Sequence, residues 1–124
     1  LKARLTALDN LLDKDAKIDS LSKGMMEKLN LTLVLSREAK VYVLDEPIAG
    51  VDPVARDQIL DAIINNYNEK SSMLITTHLV RDMENLFDEI VFLKEGNIVL
   101  KGNAEALREE QGMQIDDIYK EIFR

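Results

Sequence analysis

The segment V41-Y-V-L-D-E-P-I-A-G-V-D-P53 decides how the chain is read. Four apolar residues, rich in β-branched and aromatic side chains, run straight into Asp45 and Glu46. An apolar run without alternation predicts a short strand covered on both faces, as in parallel sheets. Asp52-Pro53 then starts a helix, with Asp as N-cap and Pro in the first turn. That helix carries Ile59, Leu60, Ile63, Ile64 and Tyr67 at core-facing spacing. A second apolar strand, "SMLITT" (72–77), follows and ends at His78, the one histidine of the chain. Strand, helix, strand is a βαβ unit, which predicts an α/β fold with a mainly parallel sheet and flanking helices. In such sheets ligands gather at the carboxyl ends of strands, and both the acid pair and His78 stand at such ends.

Upstream, the Leu spacing of residues 1–12 predicts a helix. Ser22 reads as the N-cap of another, spanning about 23–36, with Met25, Met26, Leu29, Leu33 and Val34 on one stripe, extended by Leu31 and Leu35. Downstream come a short helix at about 79–86, then "EIVFLKEGNIVLKG" (89–102), two strands joined by a tight turn at Glu95-Gly96. Asn103 caps a helix to about 110. The closing "IDDIYKEIF" (115–123) places Ile115, Ile118, Tyr119 and Ile122 on one face, expected to pack back on the domain.

A chain of 124 residues supports one modest core. Apolar residues at 46% and charged residues at 31% are ordinary for a globular domain, and a net charge of −7 argues against a nucleic-acid partner. With no cysteine, disulfide and thiolate-metal schemes are excluded. Runs such as "VYVL" fall far short of the roughly 18 residues that cross a bilayer. The first residue is Leu, so the chain is expected to be a piece of something longer.

An acid that holds hydrated magnesium, beside a second that orients a water, is a recurring arrangement for attacking a phosphate. Taken singly, each element has an ordinary structural explanation: a turn after a strand, a satisfied His, a helix cap. Their order and spacing are more specific. "LSKGM" (21–25), "VYVLDE" (41–46), "AGVD" (49–52) and "TTH" (76–78) resemble the signature motif, Walker B strand, D-loop and switch histidine of ATP-binding cassette (ABC) ATPases. The resemblance runs from about Leu5 to the end and is closest to the subunits of export systems. It implies a partial P-loop NTPase domain. Residues 1–36 would belong to the helical subdomain, 37–102 to the catalytic core and 103–124 to C-terminal helices.

The resemblance also implies roles. Asp45 would bind magnesium through a water, Glu46 would serve as general base or orient the attacking water, and His78 would contact the γ-phosphate of ATP. Ser22, Lys23 and Gly24, with Asp52, would reach the nucleotide held by a second ATP-binding subunit in a head-to-tail dimer. Transmembrane permease subunits would be further partners, at the cytoplasmic face of the cell membrane.

Two departures stand out. Lys23 and Met25 replace the Gly and Gln of the usual LSGGQ. No G-x-x-x-x-G-K-[ST] phosphate loop occurs in the sequence, and no glutamine loop is identifiable. The chain by itself is therefore expected to be inactive. The strand that carries that loop would lie between "SMLITT" and "EIVFL", so its absence is expected to leave two strand edges through which the chain rearranges or dimerises. Two other readings remain open here: an ABC-type ATPase outside transport, and a non-catalytic interaction or regulatory module.

Overall fold

The computed structural model describes residues 17–66 and 68–124, arranged in two compact units, one ending at His78 and the other spanning 79–124. The Leu-rich segment at 1–12 and Tyr67 lie outside the described residues.

In the first unit, helix α1 (Lys23–Leu35) begins at Ser22, whose hydroxyl accepts from the Met25 amide at 3.3 Å. Strand β1 (Val41–Asp45) leads through a turn into helix α2 (Pro53–Asn65), and strand β2 (Ser72–Thr76) completes the βαβ unit. The strands are parallel and in register, Val41 opposite Ser72 and Asp45 opposite Thr76. At the entry end the Ser72 amide bonds Lys40 O at 2.8 Å, and the buried Ser71 hydroxyl donates to Ala39 O at 2.8 Å. The two helices pack together, and the Lys28 ammonium donates to Gln58 Oε1 between them.

The apolar interior of this unit contains Leu31, Leu35, Tyr42, Leu44, Ile48, Val51, Ile59 and Ile63. This corrects three expectations. In α1 the deeply buried positions are Leu31 and Leu35, whereas Leu33 is exposed and the rest of the expected stripe is half-buried. In α2 Ala55 and Ala62 join Ile59 and Ile63, while Ile64 faces solvent. Among the described residues the sheet is covered on one face: Tyr42 and Leu44 are buried, but Val41, Val43 and Leu74 on the opposite face are 57%, 60% and 59% exposed. Alternate residues of a strand point to opposite faces, so one packed layer hides only every second side chain.

The second unit starts with the short helix α3 (Val80–Met83) and a 3₁₀ turn at Glu84–Leu86. Strands β3 (Glu89–Lys94) and β4 (Asn97–Asn103) form an antiparallel hairpin. Glu95 and Gly96 both take positive φ, 50° and 79°, as a two-residue type I′ turn requires. A bulge after Phe92 shifts the register, so that Phe92 faces Leu100 and Leu93 faces Ile98. Among the described residues β2 pairs only with β1, and β3 only with β4.

Helix α4 (Ala104–Gln111) is capped by Asn103, whose side chain accepts from the Ala106 amide at 3.0 Å, and it stops at Gly112. Helix α5 (Ile115–Phe123) buries Ile115 and Ile118 with Val80, Ile90, Phe92, Ala104 and Leu107, as its sequence pattern predicts. Phe92 meets Tyr119 and Phe123 edge-on, at centroid distances of 5.6 and 6.0 Å. The start of α5 is held from a distance: the buried Glu84 carboxylate accepts from the Asp116 amide at 2.8 Å, and Glu84 O accepts from Arg108 at 2.9 Å. No helix among the described residues is long and apolar enough to cross a membrane.

A carboxyl oxygen accepting at a helix start satisfies a donor that has no partner within the helix. Glu84→Ala is therefore expected to destabilise the chain by about 1–3 kcal/mol. Urea denaturation would show this as a lower midpoint at unchanged slope.

Candidate functional site

The parallel register carries the ends of β1 and β2 to the same level, and the acid pair of one strand meets the Thr-Thr-His run of the other. Thr76 donates its hydroxyl to Asp45 Oδ1. One residue on, the Glu46 amide donates to Thr76 O at 2.8 Å, adding a rung to the ladder. Glu46 itself adopts φ +47°, a left-handed conformation uncommon for a residue with a side chain.

The Glu46 carboxylate is gripped at both oxygens. Oε1 accepts from the His78 amide at 2.9 Å and lies 2.6 Å from His78 Nδ1, while Oε2 accepts from the Thr77 hydroxyl at 3.0 Å. Burial, the largest single influence on this group, works against ionisation. Hydrogen bonds from the His78 ring, the Thr77 hydroxyl and the His78 amide, with the electrostatic pull of His78, together outweigh it and hold the carboxyl below its ordinary value. The arrangement keeps Glu46 ionised as an acceptor, within hydrogen-bond reach of a His that stands exposed to solvent.

A second cluster forms around the start of α1. Gly24 is buried, and a Cβ placed there would stand 3.0 Å from Ala55 Cβ and 3.5 Å from Asp52 Oδ2. Asp52 caps α2, accepting from the Val54 and Ala55 amides at 3.1 Å each. Next to it Gly50 takes φ +69°, and the Lys23 side chain lies where a Cβ on Gly50 would go. Ile48 and Val51, both buried, anchor the intervening turn.

Sequence reading thus placed Asp45, Glu46 and His78 in one group and Ser22, Lys23, Gly24 and Asp52 in another, and within this unit they lie so. Three residues it did not single out are Thr76, Thr77 and Gly50. The signal for the threonines was available, since both directly precede His78 and parallel pairing brings them level with the acids.

The model of the family described as "AAA domain, putative AbiEii toxin, Type IV TA system" matches residues 3–80. Among curated relatives, the ABC-type transporter ATP-binding protein EcsA of Bacillus subtilis is 32% identical over 106 residues, 83% of this chain and 43% of that protein. The Nod factor export ATP-binding protein I of Burkholderia orbicola is 36% identical over 106 residues, covering 85% of this chain and 35% of its own length. Among solved structures, an ATP-binding subunit of an ABC transporter superposes with a TM-score of 0.78 at 26% identity, over 99% of this chain and 54% of the other. An ATP-binding cassette in its ADP conformation superposes with a TM-score of 0.74 at 28% identity, over 98% and 47%. The chain belongs to this AAA-domain family, and the relatives it matches are ATP-binding proteins of ABC transporters. It spans 43% and 35% of the two curated relatives.

The Glu46 contacts give a pH signature. Its folded value lies below the unfolded value of about 4.3, so the ionised group contributes stability fully above that pH. The contribution is lost as pH falls through the folded value. Glu46→Gln is expected to lower the denaturant midpoint at pH 7 and to cost progressively less as pH falls below the unfolded value, and a loss that does not shrink with falling pH would contradict the assignment. At the second cluster, Gly24→Ala is expected to cost about 1–3 kcal/mol by overpacking against Ala55, visible as a lower thermal midpoint.

Proposed function

We propose that this chain is the C-terminal portion of an ATP-binding subunit whose whole protein hydrolyses ATP to power transport across a membrane, in the export direction. The observation that carries the reading is the Glu46 carboxylate held against His78 at adjacent strand ends, with Asp45 beside it. Glu46 is the general base, or the group that orients the attacking water; an ionised, fixed acceptor suits that task. His78, with its ring exposed, contacts the γ-phosphate.

Asp45 is the magnesium residue. One exposed carboxylate beside a threonine hydroxyl is a hard oxygen donor set, and no group of three or more His, Cys, Asp or Glu gathers among the described residues. That fits a cation which keeps most of its waters and takes one or two protein oxygens. When bound, magnesium would neutralise charge on the phosphates. Ser22, Lys23 and Gly24 face the nucleotide of a second ATP-binding subunit in a head-to-tail dimer, and Asp52 crosses the same interface. The close packing of Gly24 on Asp52 and Ala55 supports treating these two segments as one surface.

The sequence holds no phosphate loop, so the 124-residue chain alone does not turn over ATP. Export is supported by the "SKGM" form of the signature and by relatives named for Nod factor export. Transmembrane permease subunits complete the machine at the cytoplasmic face of the membrane. Strands β2 and β3, each with one strand partner among the described residues, leave edges through which the isolated chain rearranges or dimerises.

The test is steady-state ATP hydrolysis by the full-length protein and its Glu46→Gln variant. Loss of a general base is expected to lower kcat by about 10²–10⁴-fold while ATP binding persists. Hydrolysis by Glu46→Gln at the wild-type rate would overturn the assignment, and a full-length protein that never hydrolyses ATP would favour a non-catalytic interaction module instead.

A further inference from the structure

Two consecutive acids face two consecutive threonines across the strand ends, and each acid has its own hydroxyl. Asp45 and Thr76 are partners in the parallel register, and Thr76 donates to Asp45. Glu46 and Thr77 stand one position further on, where the other hydroxyl donates to Glu46 Oε2. The two threonines are therefore not interchangeable, because alternation along the strand aims them at different carboxylates.

We propose that Thr77 is a positioning residue for hydrolysis, fixing the plane of the Glu46 carboxylate; the proposal rests on Glu46 being the group that orients water. The terminal torsion of a glutamate is broad and has no strong intrinsic preference. Its direction is set by whatever donates to its oxygens. Both donors on Oε1 come from His78, the amide at 2.9 Å and the ring at 2.6 Å. They pin one oxygen and leave the carboxylate free to swing about it. The Thr77 hydroxyl, 3.0 Å from Oε2, supplies the second point that removes this freedom.

Thr77 is suited to the task in two ways. It is half-buried, and a hydrogen bond shielded from solvent is electrostatically stronger than one in water. Its β-branched side chain also has few χ1 options, so the hydroxyl position is set by the backbone. The backbone of Glu46 is tied to the same strand through its amide bond to Thr76 O, and its positive φ is sustained beside that contact. Both ends of Glu46 thus hang from residues 76–78, and the threonine controls the one oxygen that His78 does not.

The experiment compares full-length wild type, Thr77→Val, Thr77→Ser and Glu46→Gln in steady-state ATP hydrolysis. Valine keeps the shape of threonine and lacks the hydroxyl. Thr77→Val is expected to lower kcat roughly ten- to a hundredfold, in line with loss of a hydrogen bond to a charged group, with KM for ATP within about twofold of wild type. Thr77→Ser, which restores the hydroxyl without the methyl, is expected to recover most of the rate. If the valine variant is insoluble, Thr77→Ala carries the same expectation. Wild-type kcat in Thr77→Val alongside an inactive Glu46→Gln would overturn the role of Thr77 and leave that of Glu46 standing. A serine variant as slow as the valine one would assign the effect to the methyl group and overturn it too. An active Glu46→Gln would remove the underlying reading, and the inference with it.

Discussion

The acid pair and His78 meet only because β1 and β2 run parallel in one register. A slip of one residue would turn every side chain of β2 to the opposite face, moving Thr76 away from Asp45 and Thr77 away from Glu46. The register is held at both ends. Lys40 and Ala39 receive the Ser72 amide and the buried Ser71 hydroxyl at the entry end, and Thr76 O receives the Glu46 amide at the exit. A sheet of two strands therefore delivers polar groups to the site with a definition that exposed loops would not provide.

The second cluster follows another logic, that of size. Gly24 is buried where Ala55, in the first turn of α2, comes so close that an added methyl group would be crowded, and Gly50 leaves room for the end of the Lys23 side chain. The Ser22 cap and the Asp52 cap fix the two helix starts, and the small residues between them let those starts meet. The segments 22–24 and 50–52 lie directly against one another. For a surface proposed to meet a nucleotide held by another subunit, shared rigidity matters more than the affinity of any single side chain.

Local chemistry was the most legible part of this sequence. The caps at Ser22, Asp52 and Asn103 and the Glu95-Gly96 turn each depend on a few neighbouring residues, and each forms where it was read. The acid pair and His78 could be grouped because a βαβ unit aligns its strand ends. What escaped were contacts between residues far apart in the chain. The carboxylate that holds the start of α5 belongs to Glu84, 32 residues before its partner Asp116, and nothing near either residue marks the link. Thr77 and Glu46 are 31 apart. The burial of β1 was misjudged for a related reason: an unbroken apolar run says a strand can be covered twice, while coverage depends on which elements are there to pack.

Val41, Val43 and Leu74 form a strip of apolar side chains on the face opposite Tyr42 and Leu44, built by the same register that arranges the site. The alignment that sets acids opposite threonines therefore also decides which side chains share that outer face, so a change of register would alter the chemistry at the strand ends and the apolar surface together.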